Sequence, residues 1–327
     1  MKRKLLDILA CAACKGPLEL CTEDADDVIT GALRCEACGV DYPIRNGIPR
    51  FVPEDNYASS FGYQWNLFRK EQLDCYNGTS LSADRLWNET GWDRNGLGGQ
   101  WILDAGCGAG RFLDAASTSQ GEVVGIDISS AIDAAKDNLA DCENVHFVQA
   151  SIYDLPFRQG AFDRAYCIGV IQHTPDRAAS LRSVTQMVKP NGSVAFTIYP
   201  RKPWTKLFAK YWLRTVTKRL KKETLLNLIR GIMPIAFPVT NVLFRLPILG
   251  KAFMFAIPVA NYVHEPQLNR DQRYAWAILD TFDMLSPAFD QPMTEAEARK
   301  PLEDAGIEIT RSEPHGLNLV GVKRSPK

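Results

Sequence analysis

The chain has 327 residues, about two domains at ~150 residues each. Hydrophobic residues make up 46% and charged residues 23%, a globular composition that excludes a wholly disordered or collagen-like chain. Lys and Arg number 38, as do Asp and Glu, so the basic excess of a general polyanion binder is missing and a nucleic-acid partner is disfavoured. The opening MKRKLLDILACAAC has the look of a secretion leader, but its apolar run is short and Asp7 interrupts it. No uninterrupted run of ~18 apolar residues is present. Nine cysteines without a leader read as thiols or metal ligands rather than disulfides, and the expected location is the cytoplasm.

Cys11 and Cys14 form one C-x2-C pair and Cys35 and Cys38 a second, with short strand-like pieces between them. Two such pairs can close a tetrahedral thiolate site around one Zn2+. About 50 residues bury little core, so a structural Zn2+ is a reasonable staple for residues 1–52. Cys21 is off the pattern and reads as a spare thiol.

Residues 53–100 carry helical patterns, with Phe61, Trp65 and Phe68 as anchors of a linker or lid. From Trp101 the pattern becomes strand, glycine turn and helix. A buried strand opens the stretch 101–112, ahead of its glycine turn and helix start. Further strands, alternating with helical patterns, are expected at 123–127, 144–150, 162–170 and 193–199, with Ser129 as a helix N-cap and Pro190-Asn191-Gly192 as a turn. That alternation predicts a parallel α/β sheet with helices on both faces and ligands at the carboxyl ends of the strands. The turn Gly106-Cys107-Gly108-Ala109-Gly110 brings its third glycine one residue too early for the nicotinamide fingerprint, and Asp104 precedes it. Both features disfavour a pyrophosphate cofactor. Asp127, ending the second of these strands, is placed to accept the hydroxyls of a ribose.

LDAGCGAGRF, Asp127, LPF (155–157), FD (162–163) and VKPNGS (188–193), in that order, resemble the class I S-adenosylmethionine-dependent methyltransferases of the methyltransferase type 11 kind. The resemblance implies a Rossmann-like seven-stranded sheet built from 101–200 and 291–327. It implies that Asp104 faces the methionine ammonium and that Gly106, Cys107, Gly108 and Gly110 lie against the cofactor. Asp127 then holds the ribose, Ile128 packs on the adenine, Ser151 and Ile152 meet the adenine amino group, and Ile168 joins the cofactor contacts. LLDILACAACKGPLEL and LRCEACGVDYPIRNGIPRFV are similar to the zinc-ribbon family that activates tRNA and protein methyltransferases, with Ala12 where that family usually has Pro. Here the ribbon is fused in cis.

Methyl transfer needs alignment above all, and a base only where the acceptor must lose a proton. His173, after the fourth strand of the methyltransferase segment, is either that base or a residue that shapes the pocket, and Tyr199 is a second candidate catalytic residue. His264, Glu265, Asp280 and Asp283 are candidates to face a substrate.

Residues 201–290 read as a helical insert over the substrate. Arg201 to Lys222 has nine Lys/Arg and no acid, with Lys206, Lys210, Arg214, Lys218 and Lys222 on one basic stripe. The stretch 225–263 is apolar but broken by four prolines, so a spanning helix is not expected. Three readings stand beside one another: a lid with a solvated basic face, a peripheral element of 201–262 pressed on anionic lipid, and an RNA-facing patch. The expected activity is methyl transfer to an oxygen or nitrogen of a small or lipid-like molecule. RNA methylation is the alternative, and a non-catalytic methyltransferase-like scaffold is the reading of another class.

Overall fold

The computed structural model describes residues 1–22, 27–53, 57–313 and 316–325, so parts of the expected segments 1–52, 53–100 and 291–327 fall outside the described residues. The chain opens with a four-stranded antiparallel sheet in sequential order: β1 (Leu18–Cys21), β2 (Gly31–Cys35), β3 (Asp41–Arg45) and β4 (Ile48–Pro49). Asn46 and Gly47, both at positive φ, form the two-residue turn between β3 and β4 that suits strand twist.

Three helices follow, α1 (Ser59–Leu67), α2 (Asp74–Asn77) and α3 (Leu81–Thr90). Then come β5 (Trp101–Ala105), α4 (Arg111–Ser117), β6 (Glu122–Asp127), α5 (Ala131–Asn138), β7 (Val145–Gln149), β8 (Phe162–Ile168), α6 (Arg177–Gln186) and β9 (Val188–Thr197). The insert supplies α7 (Ala209–Thr217), α8 (Lys222–Leu243), α9 (Leu249–Ala256) and α10 (Arg270–Leu285), before α11 (Glu295–Asp304), β10 (Ile307–Glu313) and β11 (Asn318–Lys323). The main sheet has seven strands in the order β10-β11-β9-β8-β5-β6-β7, all running the same way except β11, which lies antiparallel between β9 and β10.

The central strands are buried on both faces, while edge strand β10 is partly exposed. One core joins them to Leu181 and Val184 of α6 and Leu302 of α11, and a second to Leu86, Leu113 and Ile132 of α3, α4 and α5. The ribbon shares the first core through Leu5, Leu9, Leu33 and Phe51. It also extends the β7 edge: Phe51 N–H donates to Gln149 O at 2.8 Å, Ala10 N–H donates to Pro156 O at 2.9 Å, and Arg50 ion-pairs with Asp133.

Four local expectations change. The 190–192 turn is absorbed into β9 as an irregularity, with Asn191 at φ +65° and a register shift against β8. The α5 helix starts at Ala131 with Ser130, not Ser129, at the N-cap position and no side-chain cap bond from it; Ser129 Oγ instead accepts Ala131 N–H at 3.2 Å from one residue further out. The basic helix expected over 201–222 shrinks to α7. The proline-broken stretch contains instead a helix of 22 residues, α8, running through Pro234 and Pro238. Both prolines are exposed, so the backbone groups they free face outward. The α8 helix and α10 bury a third core of their own, Leu226, Ile229, Met233 and Phe237 against Ala277, Ile278 and Phe282.

Candidate active site

A cavity of about 700 Å³ opens at the carboxyl ends of β5, β6 and β8, where the strand order reverses on either side of β5. The loop after β5 forms one wall. At Gly106 (φ +92°) a Cβ would lie 2.6 Å from Val170, and at Gly108 (φ +55°) it would face the Trp65 indole at 3.2 Å. Both positions need glycine for conformation and for space. Gly106 and Cys107 N–H each donate to Ile126 O at 2.9 Å, tying the loop to β6. Asp127 accepts from Gly108 N–H at 3.0 Å, Ser129 N–H at 2.8 Å and Ser129 Oγ–H at 2.6 Å. Three of its about four acceptor positions are thus engaged. Burial raises its carboxyl above the usual range.

Of the expected cofactor contacts, Gly106, Cys107, Gly108, Asp127, Ile128, Ile152 and Ile168 line the cavity. Three do not. Asp104 lies behind the loop, 1% exposed, with Oδ2 unpartnered. Burial pushes its carboxyl well up, against the neighbouring Tyr166 hydroxyl, which lowers it. Gly110 is the N-cap residue of α4 and packs on Ala135 and Leu139. Ser151 turns its Oγ to accept Tyr153 N–H at 3.2 Å, and Ala150 and Ile152 form the wall in its place.

The other half of the cavity is built around His173, on the short turn Ile171–His173 after β8. Its Nδ1 lies 2.9 Å from Phe289 O. A carbonyl only accepts, so Nδ1 donates its hydrogen to Phe289 O and the ring orientation is fixed. The ring sits between Phe61 at 5.1 Å and Tyr199 at 5.6 Å. Tyr199 lines the same space, and burial pushes its phenol up. Phe61 and Trp65 of α1 form the cover, while Phe68 anchors the insert's core.

Asp280 and Asp283 on α10 line this half, as do Glu265 and Asp290, whereas His264 is exposed and away from it. Burial, then Asp283, raises Asp280 to about 7, with Arg111 and Arg85 pulling it down. Arg111 donates to Gln72 Oε1 at 3.0 Å and Gln72 Nε2 to Asp280 Oδ1 at 3.2 Å, a relay from the glycine loop to α10. Burial also raises Asp283, with His173 opposing it.

The sequence reading missed Asp290 and misplaced its partners. Lys210 and Arg214 were expected on a solvated stripe. They turn inward instead: Lys210 Nζ meets Asp290 Oδ2 at 2.9 Å, and Arg214 donates to Pro287 O at 2.8 Å and Met284 O at 3.1 Å. The signal was there, since Asp290 is an acid of the same insert, but helical periodicity does not tell which face is inside.

In the ribbon, the Sγ atoms of Cys11, Cys14, Cys35 and Cys38 all lie within 4.8 Å of one another. Cys14–Cys35 is 3.4 Å and Cys11–Cys38 is 3.7 Å. A tetrahedral site with ~2.3 Å Zn–S bonds requires sulfurs ~3.8 Å apart. A disulfide requires ~2.05 Å. The donor set and spacing fit Zn2+.

Residues 103–196 match the family described as a methyltransferase domain, and residues 2–47 the family described as Trm112p-like protein. The ubiquinone biosynthesis O-methyltransferase of Acinetobacter baumannii is 31% identical over 136 residues, 39% of this chain and 56% of that protein. That of Alkalilimnicola ehrlichii is 33% identical over 132 residues, 39% of this chain and 53% of that protein. The chain therefore spans about half the length of the curated relatives it matches. Among solved structures, an S-adenosylmethionine-dependent methyltransferase from Aquifex aeolicus superposes with TM-score 0.41 at 14% identity, over 80% of this chain and 96% of that one. A chain from the complex containing the Haloferax volcanii Trm112 methyltransferase activator gives 0.45 at 15% identity, over 82% and 99%.

Proposed function

We propose that this chain, a methyltransferase-domain protein with a Trm112p-like ribbon fused at its N-terminus, moves the methyl group of S-adenosylmethionine to a hydroxyl of a small molecule. The observation that carries the reading is one cavity with two chemically different halves: a bare glycine wall with Asp127, and a buried imidazole on its lining, oriented through Nδ1 by Phe289 O. The cofactor fits the first half. Gly106 and Gly108 keep the loop backbone bare between Val170 and Trp65, while Asp104, buried behind that loop, supports the wall rather than facing the cavity. Asp127 would hold the ribose diol in exchange for one of its loop donors, with Ile128 and Ile152 against the adenine. When bound, the cofactor supplies an electrophilic methyl carbon.

The chain's own work is to orient the acceptor, exclude water under Phe61 and Trp65, and accept the hydroxyl proton at His173 Nε2 while Phe289 O holds the ring. The O-methyltransferase relatives support an oxygen acceptor. The ribbon's four thiolates would hold a structural Zn2+. RNA methylation is the second reading, and Lys210 and Arg214 of the basic stripe are not available to it because they are turned into the protein. A vestigial scaffold is disfavoured by the intact glycine wall and the oriented imidazole.

Calorimetry with S-adenosylmethionine tests the cofactor assignment. The native chain should bind, and Asp127→Ala should weaken binding roughly tenfold or more, the scale of a lost charge-assisted hydrogen bond. Equal affinity in the two would refute the ribose role.

A further inference from the structure

Among the described residues, 18 large hydrophobic side chains are exposed, and 14 of them lie between Trp204 and Met254. Chance exposure scatters such residues singly; concentration marks an interaction surface. The pattern on α8 is ordered. Leu228, Ile232, Ile235, Val239 and Val242 recur at helical spacing along the outer face, with Ile235 72% exposed. Leu226, Ile229, Met233, Phe237 and Thr240 form the opposite, buried face. The α7 helix behaves the same way: Lys210 and Arg214 point in, while Trp212 (67% exposed), Leu213 and Val216 point out. The start of α7 is linked to α9 by Phe208 packed on Phe255, ring centroids 4.1 Å apart and tilted by 46°.

The charge around these residues is one-sided. Residues 201–263 hold 12 Lys/Arg and a single acid, Glu223. Lys202, Lys206, Lys218, Arg219, Lys221 and Lys251 are exposed or nearly so and form no ion pair with a described residue. Exposed Trp and aliphatic side chains rimmed by Lys and Arg suit the boundary between anionic headgroups and acyl chains. A second copy of the chain is a poor occupant, because it would bring the same unpaired cations face to face. Spanning is also a poor fit. The α8 helix is long and apolar enough to cross a membrane, but a third of it is buried, and that buried face is committed to α10.

We propose that the outer faces of α7, α8 and α9 dock in the plane of an anionic lipid bilayer, independently of the methyl acceptor. The test is flotation of the full chain with phosphatidylglycerol–phosphatidylcholine vesicles and with phosphatidylcholine alone, alongside sedimentation without lipid. The chain should float with the anionic vesicles, shift its tryptophan emission to the blue, and come off in alkaline wash. The double variant Ile232→Glu/Ile235→Glu, on an exposed face and so able to fold, should lose roughly tenfold or more of the bound fraction. Its circular dichroism melt should match the native chain. Lys218→Glu/Lys221→Glu should erase the preference for anionic vesicles. Equal flotation of native chain and Glu variant would overturn the proposal, as would resistance to alkaline wash. A native dimer that the Glu variant splits, with no vesicle binding, would overturn it in favour of a self-interface.

Discussion

At the scale of single residues, the site places groups of opposing demand side by side. Asp280 sits buried near Asp283, with its carboxyl raised to about 7. In the unfolded chain an Asp titrates at ~3.9. Below pH ~4 both states are protonated and Asp280 costs nothing. As pH rises toward 7 the unfolded state ionises first, so the folded state loses stability, and the loss is complete above the folded value. Asp280→Asn should therefore raise the stability of the ligand-free protein at pH 8, by on the order of 4 kcal/mol at most, and change nothing near pH 4. Urea melts at the two pH values read this directly, and equal gains at both would contradict it. His173 makes a different prediction. Its role is at the proton, not the cofactor, so His173→Gln should cut turnover by ~10²- to 10⁴-fold and leave S-adenosylmethionine affinity unchanged. Loss of cofactor binding in that variant would mark His173 as a structural residue of the wall.

At the scale of elements, α7 shows where sequence reasoning stops. The spacing of Lys206, Lys210, Arg214 and Lys218 correctly describes a helical stripe, and a charged stripe normally faces water. Here its middle is turned inward by Asp290, whose carboxylate is 2% exposed against Lys210 and Arg214. Periodicity carries no sign, and only the partner's position decides the face. Lys210→Met should leave Asp290 a poorly compensated buried charge and cost ~3 kcal/mol. Adding Asp290→Asn should restore most of that, and a double-mutant cycle by chemical unfolding measures the coupling. Additive effects would mean the pair is not coupled. The α8 helix differs from its sequence pattern for a related reason. Pro234 and Pro238 read as breaks, but both sit on the outer side, where freed carbonyls do not need a protein partner.

At the scale of the molecule, the order of strands and the glycine loop were legible because local sequence decides them: apolar runs, turn glycines and strand-end acids lie within a few residues of one another. The gathering of Asp280, Asp283 and Asp290 opposite His173 was not, because it joins α10 and the segment after it to the turn that follows β8, more than 100 residues away. The ribbon's docking on the β7 edge was likewise hidden, although its cysteine spacing was plain. Since the ribbon shares a core with the sheet through Leu5, Leu9 and Phe51, removing its metal should reach beyond it. Chelation, or Cys35→Ser, should lower the melting temperature of the whole chain, with stoichiometric zinc in the native protein by metal analysis. An unchanged melt with no zinc found would remove the metal from the account.

The most direct measurement is methyl-labelled S-adenosylmethionine incubated with the full chain and an extract of its source cells, followed by separation into organic-soluble, aqueous small-molecule, RNA and protein fractions. Label is expected in a small-molecule or organic-soluble product and should disappear with His173→Gln. Label in RNA or protein, or label that persists in that variant, would contradict the proposed function.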